Sequence, residues 1–317
     1  MSRADAADRL RVAVLMGGPD AEHEVSLWSG GQVAKALRSL SRFEVLEVVV
    51  DRPSAAELLA IDAAVAFPVL HGPYGEGGPL QETLEAAGIA YVGSGPEASR
   101  IGMDKLAAKA AVAAAGVPTP RAERLVPGVP IALEGEIVVK PTDDGSSVGV
   151  RLCRDPSEAE AARRELHPRH PRLMAEQLIR GREVTVGLVD GHPLPIIEVI
   201  PASGFYGYEE KYLRDDTRYI LEPELPDGVA EACRRHAAAA WTAIGCRDLA
   251  RIDFLVDRRG PWFLEINTMP GMTDHSLVPM AAARAGLSMA ALCEGLVAAA
   301  LARHRRLIVA AAEPVCP

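Results

Sequence analysis

Lysine is scarce in this chain of 317 residues: Lys35, Lys105, Lys109, Lys140 and Lys211 are the only five, and the other 29 basic residues are arginine. A basic surplus is missing too, since 43 acids outweigh 34 bases for a net charge of −9, which argues against a coat for nucleic acid. The five cysteines (Cys153, Cys233, Cys246, Cys293, Cys316) are odd in number and form no C-x-x-C pair. That excludes a disulfide framework or a zinc ribbon and fits a reducing compartment. Long apolar runs are also lacking. The N-terminal run is only VAVLM, too short for a secretory signal, and the alanine-rich stretch 289–301 is interrupted by Glu294. The expectation is a soluble cytoplasmic protein with no membrane and no nucleic-acid partner. No G-x-x-x-x-G-K-[ST] occurs, and Gly17-Gly18 does not complete G-x-G-x-x-G, so any nucleotide is bound by neither common cradle.

What is present is an ordinary globular composition, 49% apolar and 24% charged, with length for two or three domains. VAVLM followed by Gly17-Gly18 and a helical stretch from about 24 to 40 reads as strand, glycine turn and helix. FEVLEVVV, AAELLAI, AAVAFPVL and IAYVGS continue it as apolar runs without clean alternation, as parallel strands covered on both faces require. Residues 1–98 are therefore read as a small doubly wound α/β domain. Residues 99–182 carry helical stretches near 103–115 and 156–165 around antiparallel strands (136–140, 148–153, 174–179). Residues 183–317 carry further strands and helices at 279–285 and 288–304.

Four segments point to chemistry. In KPTDDGSSVGV (140–150), Lys140 closes a strand, and Gly145, Ser146, Ser147 and Gly149 offer small residues whose N–H groups can approach phosphate; a flexible hairpin tip would look the same. In RIDFLVDRRGPWFLEIN (251–267), a three-residue loop Arg258-Arg259-Gly260 would pair 257 with 261 and so set Asp253 opposite Glu265, with Phe263, Glu265 and Asn267 on one face. Facing carboxylates repel unless a cation lies between them, and an all-oxygen set suits Mg²⁺. On that reading, removing one carboxylate leaves the metal-free protein as stable or more so. In GFYGYEEKYLRDDTRY (204–219), four of the fourteen aromatics fall within 205–212 beside Lys211, the texture of a loop that folds over a site or of a loop with its own small core. Glu22, His23 and Glu24 follow the first strand, and His71 follows another, so both loops should open on one sheet edge.

Nine segments stand in the order found in the D-alanine–D-alanine ligase family of ATP-grasp enzymes: GGPDAEHEVSL, HGPYGEGGPLQ, MDK (103–105), KPTDDGSSVGV, AEQLIRGRE, FYGYEEKY, RIDF, LEINTMPGMT and HSLVPMAA. The chain resembles that family over nearly its whole length. The resemblance implies an α/β N-terminal domain followed by a two-part ATP-grasp fold. It implies ATP held by Lys105 and Lys140 at the phosphates, with Ser146, Ser147 and Lys211 near them, Glu176 and Ile179 at the adenine and Glu183 at the ribose. Two Mg²⁺ (or Mn²⁺) ions would bind Asp253, Glu265 and Asn267. Glu22, with His71 nearby, would receive the first D-alanine; Arg251 and the Gly271 backbone would stabilise an oxyanion; Ser276 and Leu277, with Lys211, would hold the second D-alanine. Ser146 and Tyr212 would join Glu22 in a hydrogen-bonded triad. Tyr212 favours D-alanine as acceptor, because relatives that make depsipeptides carry phenylalanine there. The resemblance also implies a homodimer. Other acceptors (D-lactate, D-serine) and a non-catalytic nucleotide sensor are the rival readings. Where the family usually has Glu-Asp-Gly, this chain has Glu76-Gly77-Gly78, so a local change of loop hydrogen bonding is expected.

Overall fold

The computed structural model describes residues 9–145, 148–201 and 217–312. Strand β1 (Leu10–Gly17) lies at the centre of a parallel sheet between β2 (Phe43–Val50) and β3 (Val65–Pro68). Strict alternation decides which helix each side chain of β1 meets. Val12, Val14 and Met16 pack against α1 (His23–Arg38) and the last helix, which runs Met289–Ala312; Ala13 and Leu15 pack with Leu58 of α2 (Ala55–Ala60) and with Leu80 and Leu84 of a helix over Pro79–Ala86. Both faces are covered, as the unalternating runs require. Each such valine or leucine removed from water contributes roughly 1.5–3 kcal/mol before the cost of ordering the chain.

Two apolar runs behave differently from their composition. AAELLAI is helical: Ser54 caps α2, its backbone N–H donating to the Glu57 carboxylate at 2.7 Å. IAYVGS contributes only a parallel bridge, Ala66 with Tyr91.

The second sheet is antiparallel, in the order β4 (Ala122–Leu125), β7 (Leu173–Gln177), β5 (Ile137–Pro141), β6 (Arg151–Cys153). Helix α7 (Pro156–Leu166) covers one face, over Ile137, Val139, Leu173 and Ala175. By alternation the opposite face carries Val138, Lys140 and Glu176, which line a cavity.

In the third sheet, β11 (Arg218–Leu221), β10 (Ile197–Ile200), β8 (Arg182–Val189), β12 (Leu249–Asp257) and β13 (Gly260–Asn267) run antiparallel, with β9 (His192–Pro193) beside β8. Helices α5 (Pro96–Met103), α6 (Lys105–Ala114) and α8 (Val229–Ile244) cover one face, so Ala98, Ala108 and Val112 share a core with Val184, Ile252 and Phe254. Two short helices complete the N-terminal sheet, α3 (Gly72–Gly75) and α4 (Pro79–Ala86). Two more, α9 (Leu277–Arg284) and α10 (Met289–Ala312), follow the third sheet. Among the described residues no single helix is long and apolar enough to cross a membrane; one bent pair, α9 with residues 289–309 of α10, passes that test on length and composition.

A buried pair joins the first sheet to the third. Asp248, 3% exposed and at a left-handed φ of 63°, accepts the Gly93 backbone N–H at 2.7 Å and the Arg303 guanidinium at 2.9 Å; Arg303 also donates to the Tyr91 carbonyl at 2.7 Å.

Candidate active site

The loops after β1 and β3 open on the same edge, at the point where the strand order reverses. Asp20 of the first loop accepts the Tyr74 N–H of the second at 2.8 Å. Buried Ser26 at the start of α1 ties the strand ends, accepting from Gly17 N–H at 2.9 Å and donating to the Val69 carbonyl at 2.8 Å. These bonds fix Glu22 and His71 on the wall of one cavity of about 660 Å³, with Glu76, Arg251, Glu265, Asn267, Gly271, Ser276 and Leu277. A second cavity of about 530 Å³ is lined by Lys140, Glu176, Ile179 and Glu183 among apolar Val138, Leu152, Leu255 and Leu264. Lys105, Asp144 and Glu265 line both, so the two spaces meet at a point bearing one cation and two acids. Ser146, Ser147, Lys211 and Tyr212 lie outside the described residues.

The carboxylate pairing forms by a different route from the one the turn suggests. The hairpin has a two-residue loop, Arg258-Arg259, with Asp257 opposite Gly260 and Phe254 opposite Phe263. That register alone would put Asp253 and Glu265 on opposite faces. A β-bulge at Leu264 then adds one residue to β13 and restores Asp253 opposite Glu265 and Arg251 opposite Asn267. The outer edge of β13 is held there by Pro118 and Thr119: Phe263 N–H donates to the Pro118 carbonyl at 2.8 Å, and the Thr119 hydroxyl to the Phe263 carbonyl at 2.9 Å. Phe263 therefore does not share the face of Glu265. It turns into the core, edge-on to Phe254.

Asp253 does not stand bare against Glu265. Arg251 grips it through Nε (3.0 and 3.2 Å) and Nη2 (2.9 Å), and the Thr185 hydroxyl opposite on β8 donates to its Oδ1 at 2.6 Å. Glu265 lies 3.4 Å from the Lys105 ammonium, and the Asn267 side-chain oxygen accepts the Met269 N–H at 3.0 Å. The expected repulsion is thus already compensated by two basic side chains. The donor set on this face is nevertheless all oxygen and lies where the cavities join, which fits a hard divalent cation.

At the 140–150 loop, Lys105 donates to the Asp144 carbonyl at 2.7 Å, and a methyl group on Gly145 would stand 3.0 Å from Glu22 Oε1. A side chain there would displace that carboxylate by a few tenths of an ångström. Lys140, 6% exposed, donates to Glu176 at 2.8 Å. A second lysine that sequence reasoning assigned no role, Lys109, reaches the same carboxylate at 2.5 Å.

In the loop between β13 and α9, the Thr273 N–H donates to Ser276 Oγ at 3.0 Å, and Met272 N–H donates to Ser29 of α1 at 3.3 Å, tying this loop to the N-terminal sheet's first helix. Ser276 stands immediately before α9, so the N-terminal end of that helix, at Ser276 and Leu277, lies on the cavity wall.

His71 and Glu76 are buried together. Burial first, with the nearby Arg251 charge, lowers the His71 pKa to about 4 against a backbone hydrogen bond with Met269; its Nε2 has no hydrogen-bond partner among the described residues. Burial, reinforced by the Glu22 charge, pushes Glu76 up to about 8. Glu76 accepts the Gly72 N–H at 3.1 Å, and Gln81 takes the Gly78 N–H at 3.1 Å while donating to the Gly75 carbonyl at 2.8 Å. At Gly77 a Cβ would stand 2.3 Å from the Pro73 carbonyl oxygen, so this loop leaves no room for the family's usual aspartate.

Two family models match the chain: the D-ala D-ala ligase N-terminus over residues 51–94 and the D-ala D-ala ligase C-terminus over 123–298. The D-alanine–D-alanine ligase of Syntrophotalea carbinolica is 41% identical, over 92% of this chain and 97% of the relative. That of Bordetella pertussis is 42% identical, over 93% and 96%. Among solved structures, the D-alanine–D-alanine ligase of Bacillus anthracis complexed with ATP superposes with a TM-score of 0.81 at 29% identity, covering 94% of this chain and 99% of that one. The Coxiella burnetii ligase gives 0.82 at 26%, covering 96% and 97%.

Proposed function

Because the chain belongs to the D-alanine–D-alanine ligase family, we propose that it joins two D-alanines to D-alanyl-D-alanine with consumption of ATP, for peptidoglycan precursor synthesis. The observation that supports this reading is the junction of the two cavities at Lys105, Asp144 and Glu265, where a carboxylate bound in one would meet the terminal phosphate of a nucleotide bound in the other.

Glu22 offers a carboxylate to the ammonium of the first D-alanine, on the same cavity wall as His71, whose Nε2 has no partner among the described residues. The carboxylate of that D-alanine attacks the γ-phosphate, giving D-alanyl phosphate and ADP, while Lys105 and Lys140 hold the phosphates. Asp253, Glu265 and Asn267 would hold two Mg²⁺ (or Mn²⁺) ions, whose charge would offset that of the phosphates. The second D-alanine places its carboxylate at Ser276 and the first turn of α9, where N–H groups favour an anion. Its neutral amine attacks the acyl carbon, Arg251 and the Gly271 N–H stabilise the oxyanion, and phosphate leaves. Ile179 and Glu183 take the adenine and ribose ends. Ser146, Ser147, Lys211 and Tyr212, outside the described residues, keep the roles the resemblance implies. The reading includes the division at 98 and 182 and a cytoplasmic homodimer.

The test is phosphate release from ATP with and without D-alanine, and mass spectrometry of the product with D-lactate and D-serine offered alongside. D-alanine-dependent release with D-alanyl-D-alanine dominant is expected. ATP binding without such release, or a dominant depsipeptide, refutes it.

A further inference from the structure

Among the described residues three lysines gather at the site, and one of them has no role in the chemistry above. Lys105 opens α6, and Lys109, one turn on, shares its face. Lys105 stands where the cavities meet; Lys109 is 4% exposed, in the wall behind the nucleotide cavity. Its ammonium lies 2.5 Å from Glu176 Oε2 and donates at 2.7 Å to the Thr119 hydroxyl, which in turn donates to the Phe263 carbonyl. The other Glu176 oxygen takes Lys140 at 2.8 Å. One carboxylate, 2% exposed, is therefore shared by two ammonium groups.

A second buried cation is costly: burial lowers the Lys109 pKa to about 8, with Glu176 opposing the change and Lys140 adding to it. Burial also works to raise the Glu176 pKa, and the two ammoniums reverse that and leave it lowered. The second cation has a use once a nucleotide arrives. Lys140 then turns to the phosphates, and a Glu176 left alone in an apolar wall would take up a proton. With Lys109 in place it stays a carboxylate, which only accepts hydrogen bonds. An acceptor in that wall is matched by an exocyclic amine and opposed by a carbonyl, and a site built for one rejects the other strongly.

We propose that Lys109 is a positioning residue for nucleotide selectivity, holding Glu176 as an acceptor so that the cavity takes a 6-aminopurine nucleotide and rejects a 6-oxopurine one. This rests on the reading of that cavity as the ATP site.

The experiment compares kcat/KM for ATP and for inosine triphosphate, which has an oxo group in place of the 6-amino group, in wild type, Lys109→Met and Lys109→Gln. The expected result is a wild-type preference for ATP that falls at least tenfold in both variants, through the nucleotide KM, with the D-alanine KM unchanged. In the variants, raising the pH should restore part of the preference as Glu176 ionises. A merely structural role would slow both nucleotides alike and would overturn the proposal, as would a pH-independent ratio. Should neither variant fold, Thr119→Val, which removes the hydroxyl that anchors the Lys109 ammonium, takes their place: a lowered preference for ATP supports the proposal, and an unchanged one, or equal use of the two nucleotides by wild type, overturns it. D-alanine-dependent ADP formation by wild type in the same assay separates this failure from failure of the ligase reading, under which no ADP forms.

Discussion

Asp253→Asn should destabilise the metal-free protein, although simple repulsion between facing carboxylates argues the reverse. The amide keeps an oxygen for the Thr185 hydroxyl but removes the charge that holds Arg251 by three contacts of 2.9–3.2 Å. Asp253 is 6% exposed and the Arg251 side chain 15%, so the guanidinium cannot simply be handed to water. Removing one partner of a buried pair costs about 3–5 kcal/mol, and with Glu265 on the next strand the lower end, about 3 kcal/mol, applies here. At roughly 2–4 °C per kcal/mol for a domain of this size, the midpoint should fall by about 6–12 °C. Thermal unfolding followed by far-ultraviolet circular dichroism in EDTA measures it. Glu265→Gln is the internal contrast: its side chain is 26% exposed and its lysine partner 3.4 Å away, so its change should stay within about 1 kcal/mol. An Asp253→Asn midpoint equal to or above wild type in EDTA would show that repulsion between the carboxylates, not the grip of Arg251, governs this face.

Glu76 predicts a pH dependence with a definite sign. Its folded pKa, raised to about 8 from 4.5, contributes stability that is full below pH 4.5 and lost as pH rises through 8. Glu76→Gln should therefore gain on wild type by about 4 kcal/mol between pH 5 and 8 in urea titrations, and a pH-independent difference would refute the buried acid. His71, lowered to about 4, acts oppositely: its contribution is present above pH 6.5 and lost as pH falls through 4, so His71→Gln should narrow its deficit in acid. Arg303→Met leaves Asp248 buried without its cation; it should lower the midpoint and raise the D-alanine KM, because Glu22 and His71 then sit less firmly against Arg251, with Arg303→Lys intermediate. Unchanged D-alanine KM in Arg303→Met would refute that coupling.

The parts legible in the sequence are those written locally. VAVLM-Gly-Gly announces a strand, a turn and a helix, and the shared sheet edge of Glu22 and His71 follows from strand polarity alone. Lysine is scarce, and among the described residues three of the five converge on the cavities. Helix α8 was missed because its buried stripe, Cys233, Ala237, Ala240 and Ile244, offers little contrast in an alanine-rich chain, although Gly228 and Gly245 bound it. The bulge at Leu264 could not be read from the turn, because its neighbours on the outer edge, Pro118 and Thr119, are about 145 residues distant. Lys109 and the Asp248–Arg303 pair share that difficulty, since each acquires its partner only through tertiary packing.

The bulge at Leu264 has an effect on what the hairpin tip is allowed to become. Register is set twice along β12 and β13, once by the turn and again at the bulge, and only the second setting reaches the carboxylates. The tip is also stitched to itself: Asp257 accepts the Arg259 N–H at 2.8 Å and the Trp262 indole at 2.9 Å, while the Arg259 guanidinium lies 4.6 Å from the centre of the Trp262 ring. Drift in the turn is thus absorbed before it reaches Asp253 and Glu265, much as a clutch isolates a shaft. Residues 258–259 are accordingly the place where descendants of this chain can lengthen, and where a label or a grafted peptide can be spliced in, with the paired carboxylates still in line.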